Sequence, residues 1–319
     1  MRLKWFGMRG PAALIAALAA QAWLGAAWAR DLNVVATIKP IHSIVASVMQ
    51  GVAKPTLLVD GAASPHTFSL KPSDARALAA ARVVFRVSDA IDPFMSKVAK
   101  SLPKSVEVVV LDKAPGLTLH RIRRGGPFEV DDEGTSGGHH GHAHDKSGLG
   151  IDGHIWLDPS NAALIAFHVA DVLGKAQPDA AARFKSNADA LARDLATLTP
   201  ELSERLSPLA GRSFVVFHDA YQYFEKRFGL HAAGSVTVSP DLAPSVMRLS
   251  ALRTKIGRLK AACVFAEPQF EPRLIVTITE NTTAKRGVVD PLGASIPAGV
   301  GHYPALLRKM AADFAQCLE

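Results

Sequence analysis

Gly153-His154-Ile155-Trp156-Leu157-Asp158-Pro159 lies near the middle of the 319-residue chain, and its reading divides everything on either side of it. His154, Trp156 and Asp158 alternate with Ile155 and Leu157, the period of a short strand or extended segment. Asp158-Pro159-Ser160-Asn161 then stops that segment and opens a helix that runs to Lys175, because proline suits a first helical turn and restrains the residue before it. A histidine held there is aimed. Alone it carries little, since a histidine among apolar residues is more often a hydrogen-bonded core residue than a ligand. Two further histidines occupy equally marked settings, His66 lying 88 residues upstream and His218 lying 64 downstream.

Upstream, Leu32-Asn33-Val34-Val35-Ala36-Thr37 reads as a strand, and Pro40-Ile41-His42-Ser43-Ile44-Val45 begins a helix to about Gln50. Thr56 to Val59, Val83 to Val87 and Val106 to Val110 are further short β-branched runs. Helical stretches separate them, one starting at Lys71-Pro72-Ser73-Asp74 with Ser73 suited to the N-cap, another from Pro93 to Ser101. Such alternation argues for a parallel sheet with helices on its faces. Downstream, a longer helical pattern begins at Pro178: Phe184, Ala188, Leu191, Leu195, Leu198 and Leu202 recur at three- and four-residue steps, and Pro200 is expected to kink the helix or end it early. Beyond Gly211 the alternation resumes. Ser213 to Phe217, Ala262 to Phe265 and Gly287 to Val289 read as strands, and Tyr221 to Phe228 and about Pro244 to Leu259 as helices. The expected class is α/β, with two lobes at about 30–177 and 209–319, each a small parallel sheet with surrounding helices, joined by a long rigid helix over 178–208.

From about 121 to 150 the periodicity is lost and the chain becomes rich in Gly, Asp, Glu and His, including His139, His140, His142 and His144. This reads as a loop of the first lobe. At the N-terminus Arg2, Lys4 and Arg9 precede an apolar run from Pro11 to Leu24 and then Ala27-Trp28-Ala29, the form of a signal peptide cleaved after Ala29. No cysteine follows the run, so an exported, unlipidated protein of a periplasm is expected. Cleavage removes three of the 36 basic residues, leaving 33 against 29 acidic, a net charge of +4. That charge is modest and spread along the chain with few aromatics, which argues against nucleic acid. In an oxidising compartment Cys263 and Cys317 suit one disulfide, clamping the C-terminal helix to the second sheet; two free buried thiols are the alternative.

In open parallel sheets ligands sit beyond the carboxyl ends of the strands, and His66, His218 and Asp290 each follow a predicted strand. With His154 they offer three imidazoles and a carboxylate, a set suited to tetrahedral zinc. The alternative reading makes His154 and His218 core residues and Asp290 a turn cap. The motifs Gly61-Ala62-Ala63-Ser64-Pro65-His66, Ser69-Leu70-Lys71-Pro72-Ser73-Asp74, His154-Ile155-Trp156-Leu157-Asp158-Pro159, His218-Asp219-Ala220-Tyr221-Gln222-Tyr223-Phe224, Phe265-Ala266-Glu267-Pro268-Gln269-Phe270 and Asp290-Pro291-Leu292-Gly293, in this order, resemble the ZnuA-type zinc-binding proteins of bacterial ABC importers. The resemblance implies two four-stranded parallel lobes, a rigid connecting helix, and Zn2+ in the interlobe cleft on His66, His154 and His218. It also implies a membrane permease as partner. In that family the fourth position varies, and because Pro65 occupies the place where some members carry glutamate, Asp290 or a water is left. The run His139, His140, His142 and His144 matches the family's histidine-rich loop, expected here as a weak accessory metal site.

Glu267, between a strand and a proline, suits either orienting a ligand histidine or stabilising a turn. The main functional expectation is zinc capture by a monomer that delivers it to the permease. A manganese receptor of the same family is the alternative, and histidine rather than carboxylate at 218 favours zinc. A zinc hydrolase would need a general base and a substrate pocket, and no motif beyond Asp290 supplies either, so an enzyme is not expected.

Overall fold

The structure is a computed structural model, and the residues it describes are 32–123, 128, 150–237, 245–271 and 273–319. The expected signal peptide and the histidines at 139, 140, 142 and 144 lie outside the described residues.

The first lobe contains β1 (Val34–Ile38), α1 (Lys39–Val48), β2 (Thr56–Val59), α2 (Pro72–Ala79), β3 (Val83–Arg86), α3 (Phe94–Val98) and β4 (Glu107–Val110). Its sheet has the order β2-β1-β3-β4, all parallel. After α4 (Pro159–Ala176) and the long α5 (Ala181–Leu206), the second lobe repeats the plan with β5 (Phe214–His218), α6 (Gln222–Phe228), β6 (Ala232–Thr237), α7 (Val246–Leu259), β7 (Cys263–Ala266), α8 (Arg273–Thr279), β8 (Lys285–Val288) and α9 (His302–Leu318). Its order, β6-β5-β7-β8, is the same arrangement, again parallel throughout.

Side chains alternate across a strand, and the two faces of each sheet meet different cores. Val34, Ala36 and Ile38 of β1 and Phe214 and Val216 of β5 belong to one continuous apolar cluster, which includes Trp156, Leu195 and Phe314 and so runs through both lobes. Val35 and Leu78 form a separate cluster on the outer face of the first sheet, and Val215, Phe217 and Leu252 another on the outer face of the second. The stripe read from the sequence is what α5 buries: Phe184, Ala188, Leu191, Leu195, Leu198 and Leu202, with Leu206 added. Pro200 does not end the helix early, for α5 continues to Leu206. Pro200 and Ala196 both face outward, so the carbonyl deprived of its helical partner is on the solvent side, where water can satisfy it.

Three local expectations need correction. Residues 155–157 form a 3-10 turn capped by His154, not a strand; Ile155, Trp156 and Leu157 are all buried, so no side of the segment faces solvent and the apparent alternation had no outer face to report. The N-cap of α2 is Lys71, not Ser73, and the Asp74 carboxylate accepts the Lys71 N–H at 2.9 Å. The second lobe also holds β6 and α8, neither of which stands out in the sequence.

The segment after β8 ties the lobes together. Lys39 on α1 donates to Ala294 O and Ile296 O at 3.0 and 3.2 Å, Trp156 Nε1 donates to Pro291 O at 2.9 Å, and Tyr303 Oη donates back to Trp156 O at 2.5 Å. Ser43 on α1 donates to Val300 O at 3.1 Å and accepts from Tyr303 N at 2.9 Å. Arg227 on α6 grips Asp158 with two bonds of 2.7 and 2.8 Å. The disulfide joins Cys263 at the start of β7 to Cys317 near the end of α9.

Candidate metal centre

His66, His154 and His218 reach the cleft from three separate elements. His66 lies in a 3-10 turn, Pro65–Thr67, beyond β2; His154 caps the turn before α4; His218 is the last residue of β5. The ring centroid of His66 is 5.7 Å from those of both others, which are 5.2 Å apart. One ring nitrogen from each lies within 4.8 Å of the other two. His154 Nε2 and His218 Nε2 are 3.3 Å apart. Two ligands of a tetrahedral zinc ion, each bonded at roughly 2.0–2.1 Å, have about this separation.

The chain fixes which nitrogen each ring presents. His218 Nδ1 is 2.6 Å from Glu267 Oε1, His154 Nδ1 is 2.7 Å from Asp152 Oδ1, and His66 Nδ1 is 3.0 Å from Ala90 O. Carboxylates and carbonyls only accept, so each Nδ1 carries the proton and each Nε2 is turned to the cleft, the arrangement that orients metal-bound imidazoles. Asp152 is itself held by Gln222 Nε2 at 3.2 Å. Gly153 lets the segment approach the Ser88–Ile91 turn: a Cβ there would stand 2.6 Å from Ile91 Cγ1 and 2.7 Å from Ser88 Oγ.

Two lone pairs 3.3 Å apart repel, so the facing Nε2 atoms of His154 and His218 need a proton or a cation between them. The site's electrostatics say where the proton resides. Burial, then the rings of His154 and His218, hold His66 well below the ordinary imidazole value, so it is neutral at pH 7. Burial also works against a charged His218, but the Glu267 carboxylate outweighs it and raises His218 above that value. A cation that enters below the raised His218 value displaces a proton from that ring. Apparent zinc affinity should fall as pH drops through the raised His218 value, with about half a proton released per ion at that value and close to one, a slope approaching tenfold per unit, about a unit or more below it. Calorimetric titration in buffers of different ionisation enthalpy measures that release; a pH-independent affinity with no proton release would contradict this electrostatic reading.

Asp290, expected as a possible fourth ligand, does not join the group. Its carboxylate accepts from Gln269 Nε2 at 2.8 Å, Leu292 N at 2.9 Å and Ala294 N at 2.5 Å, which commits it to the loop after β8. The structure thus brings together three of the four sequence candidates. Of the two readings open for Glu267, orienting a histidine is the one the geometry supports. Asp152 is a site residue that the sequence reading does not single out, although its Asp-x-His spacing is a signal; it lies just beyond the Gly- and His-rich stretch. Arg123 was missed too. It lies where that stretch begins and pairs with Asp219, the neighbour of His218, and with Glu225, both on the second lobe.

Two matching parallel lobes that share one core and aim three imidazoles into the cleft between them define a metal-binding solute-binding protein. The chain belongs to the family described as zinc-uptake complex component A, periplasmic, whose model matches residues 34–317. It is 45% identical to the high-affinity zinc uptake system protein ZnuA of Brucella abortus over 305 residues, covering 90% of this chain and 91% of that one. It is 35% identical to the ZnuA of Haemophilus ducreyi, covering 93% and 96%. Among solved structures, the laminin-binding protein Lmb of Streptococcus agalactiae, described as a bifunctional protein with adhesin and metal transporting activity, is similar with a TM-score of 0.73 at 26% identity, covering 90% of this chain and 99% of that one. A crystal structure of ZnuA shares the fold, with a TM-score of 0.73 at 22% identity over 91% of this chain and 100% of that one.

Proposed function

We propose that the chain is the zinc-capturing component of an ABC importer, working in the periplasm and delivering Zn2+ to a membrane permease. The observation that carries this reading is the convergence of three imidazoles whose Nδ1 atoms are already engaged, leaving three nitrogens for one cation. Zinc is the cargo and His66, His154 and His218 are its protein ligands, with a water as the fourth. Charge supports that fourth ligand. Asp152 and Glu267 lie against two of the rings and balance a dication, so a further carboxylate on the ion would leave a buried net negative charge. Three nitrogen ligands also suit zinc better than manganese, which favours oxygen donors.

Histidines 139, 140, 142 and 144 are proposed as a weaker accessory collector. The test is metal titration of the purified, chelator-stripped protein alongside a variant lacking residues 125–148. One tight zinc per chain is expected in both, with the weaker equivalents present only in the full chain. Loss of the tight equivalent on deletion would place the cargo site in the wrong part of the molecule.

A further inference from the structure

The cleft contains one residue whose role the triad does not account for. Gln269, in the turn after β7, donates from Nε2 to Asp290 Oδ1 at 2.8 Å. A carboxylate can only accept, so this bond fixes the amide's orientation and directs Oε1 the other way. Gln269 Oε1 is buried and has no hydrogen-bond partner among the described residues, and Gln269 is part of the wall of the small cavity lined by His66, His154 and His218. Ser64, also in that wall and 8% exposed, has a buried Oγ without a partner among the described residues. The cavity amounts to about 10 Å³, which is roughly the room that one water centre requires. Pro291 and Leu292 line it, whereas the Asp290 carboxylate before them is turned into its own loop.

We propose that Gln269 is a specificity-determining residue: its amide holds Asp290 out of the ion's coordination shell, and its carbonyl, with the Ser64 hydroxyl, holds the water that takes the fourth position instead. The inference rests on the zinc-binding reading of the cleft and adds the device that keeps the shell at three nitrogens and one neutral oxygen. With Asp290 restrained, the ion meets no carboxylate and four-coordinate zinc is favoured. Once released, Asp290 supplies the oxygen donor, and the higher coordination number, that manganese prefers.

The experiment compares wild type with Gln269→Leu, which nearly keeps the side-chain volume but removes both polar ends. Cobalt(II) absorption spectra and zinc and manganese titrations are recorded for each. Gln269→Leu should weaken the intense visible bands of four-coordinate cobalt, as coordination rises, and narrow the ratio of manganese to zinc dissociation constants by about tenfold or more. Adding Asp290→Asn to Gln269→Leu should reverse both changes, because the amide is a poor ligand. If Gln269→Leu fails to fold, Gln269→Ala, which also removes both polar ends and adds no ligand, must show the same two changes. An unchanged spectrum and ratio in a folded Gln269 variant overturns the proposal, as does a shift that survives Asp290→Asn. A wild-type protein with no tight zinc would remove the underlying reading too, whereas a tight wild-type site with an unchanged ratio removes only the role of Gln269.

Discussion

His218→Ala is expected to weaken zinc by two to three orders of magnitude in a competition titration against a chelating dye. A complete four-ligand zinc site is worth roughly 10–16 kcal/mol, so about 3–4 kcal/mol attaches to each ligand, and each 1.4 kcal/mol is a factor of about ten. The substitution removes more than a ligand. Glu267 is 3% exposed and would lose the imidazole that its Oε1 contacts at 2.6 Å, leaving a carboxylate buried beside a smaller cation-binding set. His218→Glu separates ligand number from ligand type: it should weaken zinc far more than manganese and so narrow the ratio of their dissociation constants. Asp290→Ala should cost less zinc affinity than the loss of any of the three histidines, since that carboxylate is bonded to its own loop. Calorimetry on the protein lacking residues 125–148 reads the cleft without the accessory histidines. If His218→Glu left zinc affinity unchanged, the three-imidazole reading would have to be abandoned.

The second large effect is on stability. Opening the Cys263–Cys317 bond, by reduction or by Cys→Ser at both positions, should lower unfolding free energy by about 4 kcal/mol on the chain-entropy account, given a separation of 54 residues. The native contacts of α9 act in parallel with the bridge. Phe314, on α9 near Cys317, packs against Phe214, Phe265 and Phe224 with centroids 4.9 to 5.6 Å apart. A Cβ on Gly287 would stand 2.9 Å from Cys317 Sγ, so the bridge lies directly beneath β8. Urea unfolding with and without reductant measures the difference. Coincident curves would show that the aromatic packing of α9 suffices and that the bridge is energetically idle.

The central strands and α5 were legible because burial writes a period into sequence. β1 and β5 are apolar nearly throughout, since both their faces are covered, and α5 carries a single stripe. β6 was not legible. Ala232-Ala233-Gly234-Ser235 has little strand character of its own, and the segment is a strand because β5 offers it a parallel edge, with a register shift at Phe214 and Val215. His66 and His218 could be placed just after strands from the sequence, but the direction of a side chain could not. Asp290 stands where expected, just beyond β8, yet two backbone N–H groups of its own loop and the Gln269 amide draw its carboxylate aside. Asp152 and Ala90 act through Nδ1 atoms, a relation visible only once the rings are oriented.

The ties between the lobes, from Lys39, Ser43, Trp156 and Tyr303 to the segment after β8, are made by groups other than the three histidines. A receptor that must swing shut around its cargo has its affinity reduced by the fraction of time it spends in the competent shape. Here the shared core and these bonds resist opening of the hinge, which brings measured affinity closer to intrinsic affinity than in a freely hinged receptor. The same restraint limits how far lobe closure can signal occupancy. With less lobe closure to read, a permease that distinguishes loaded from empty receptors would depend more on the rim of the cleft, where the ion changes the charge.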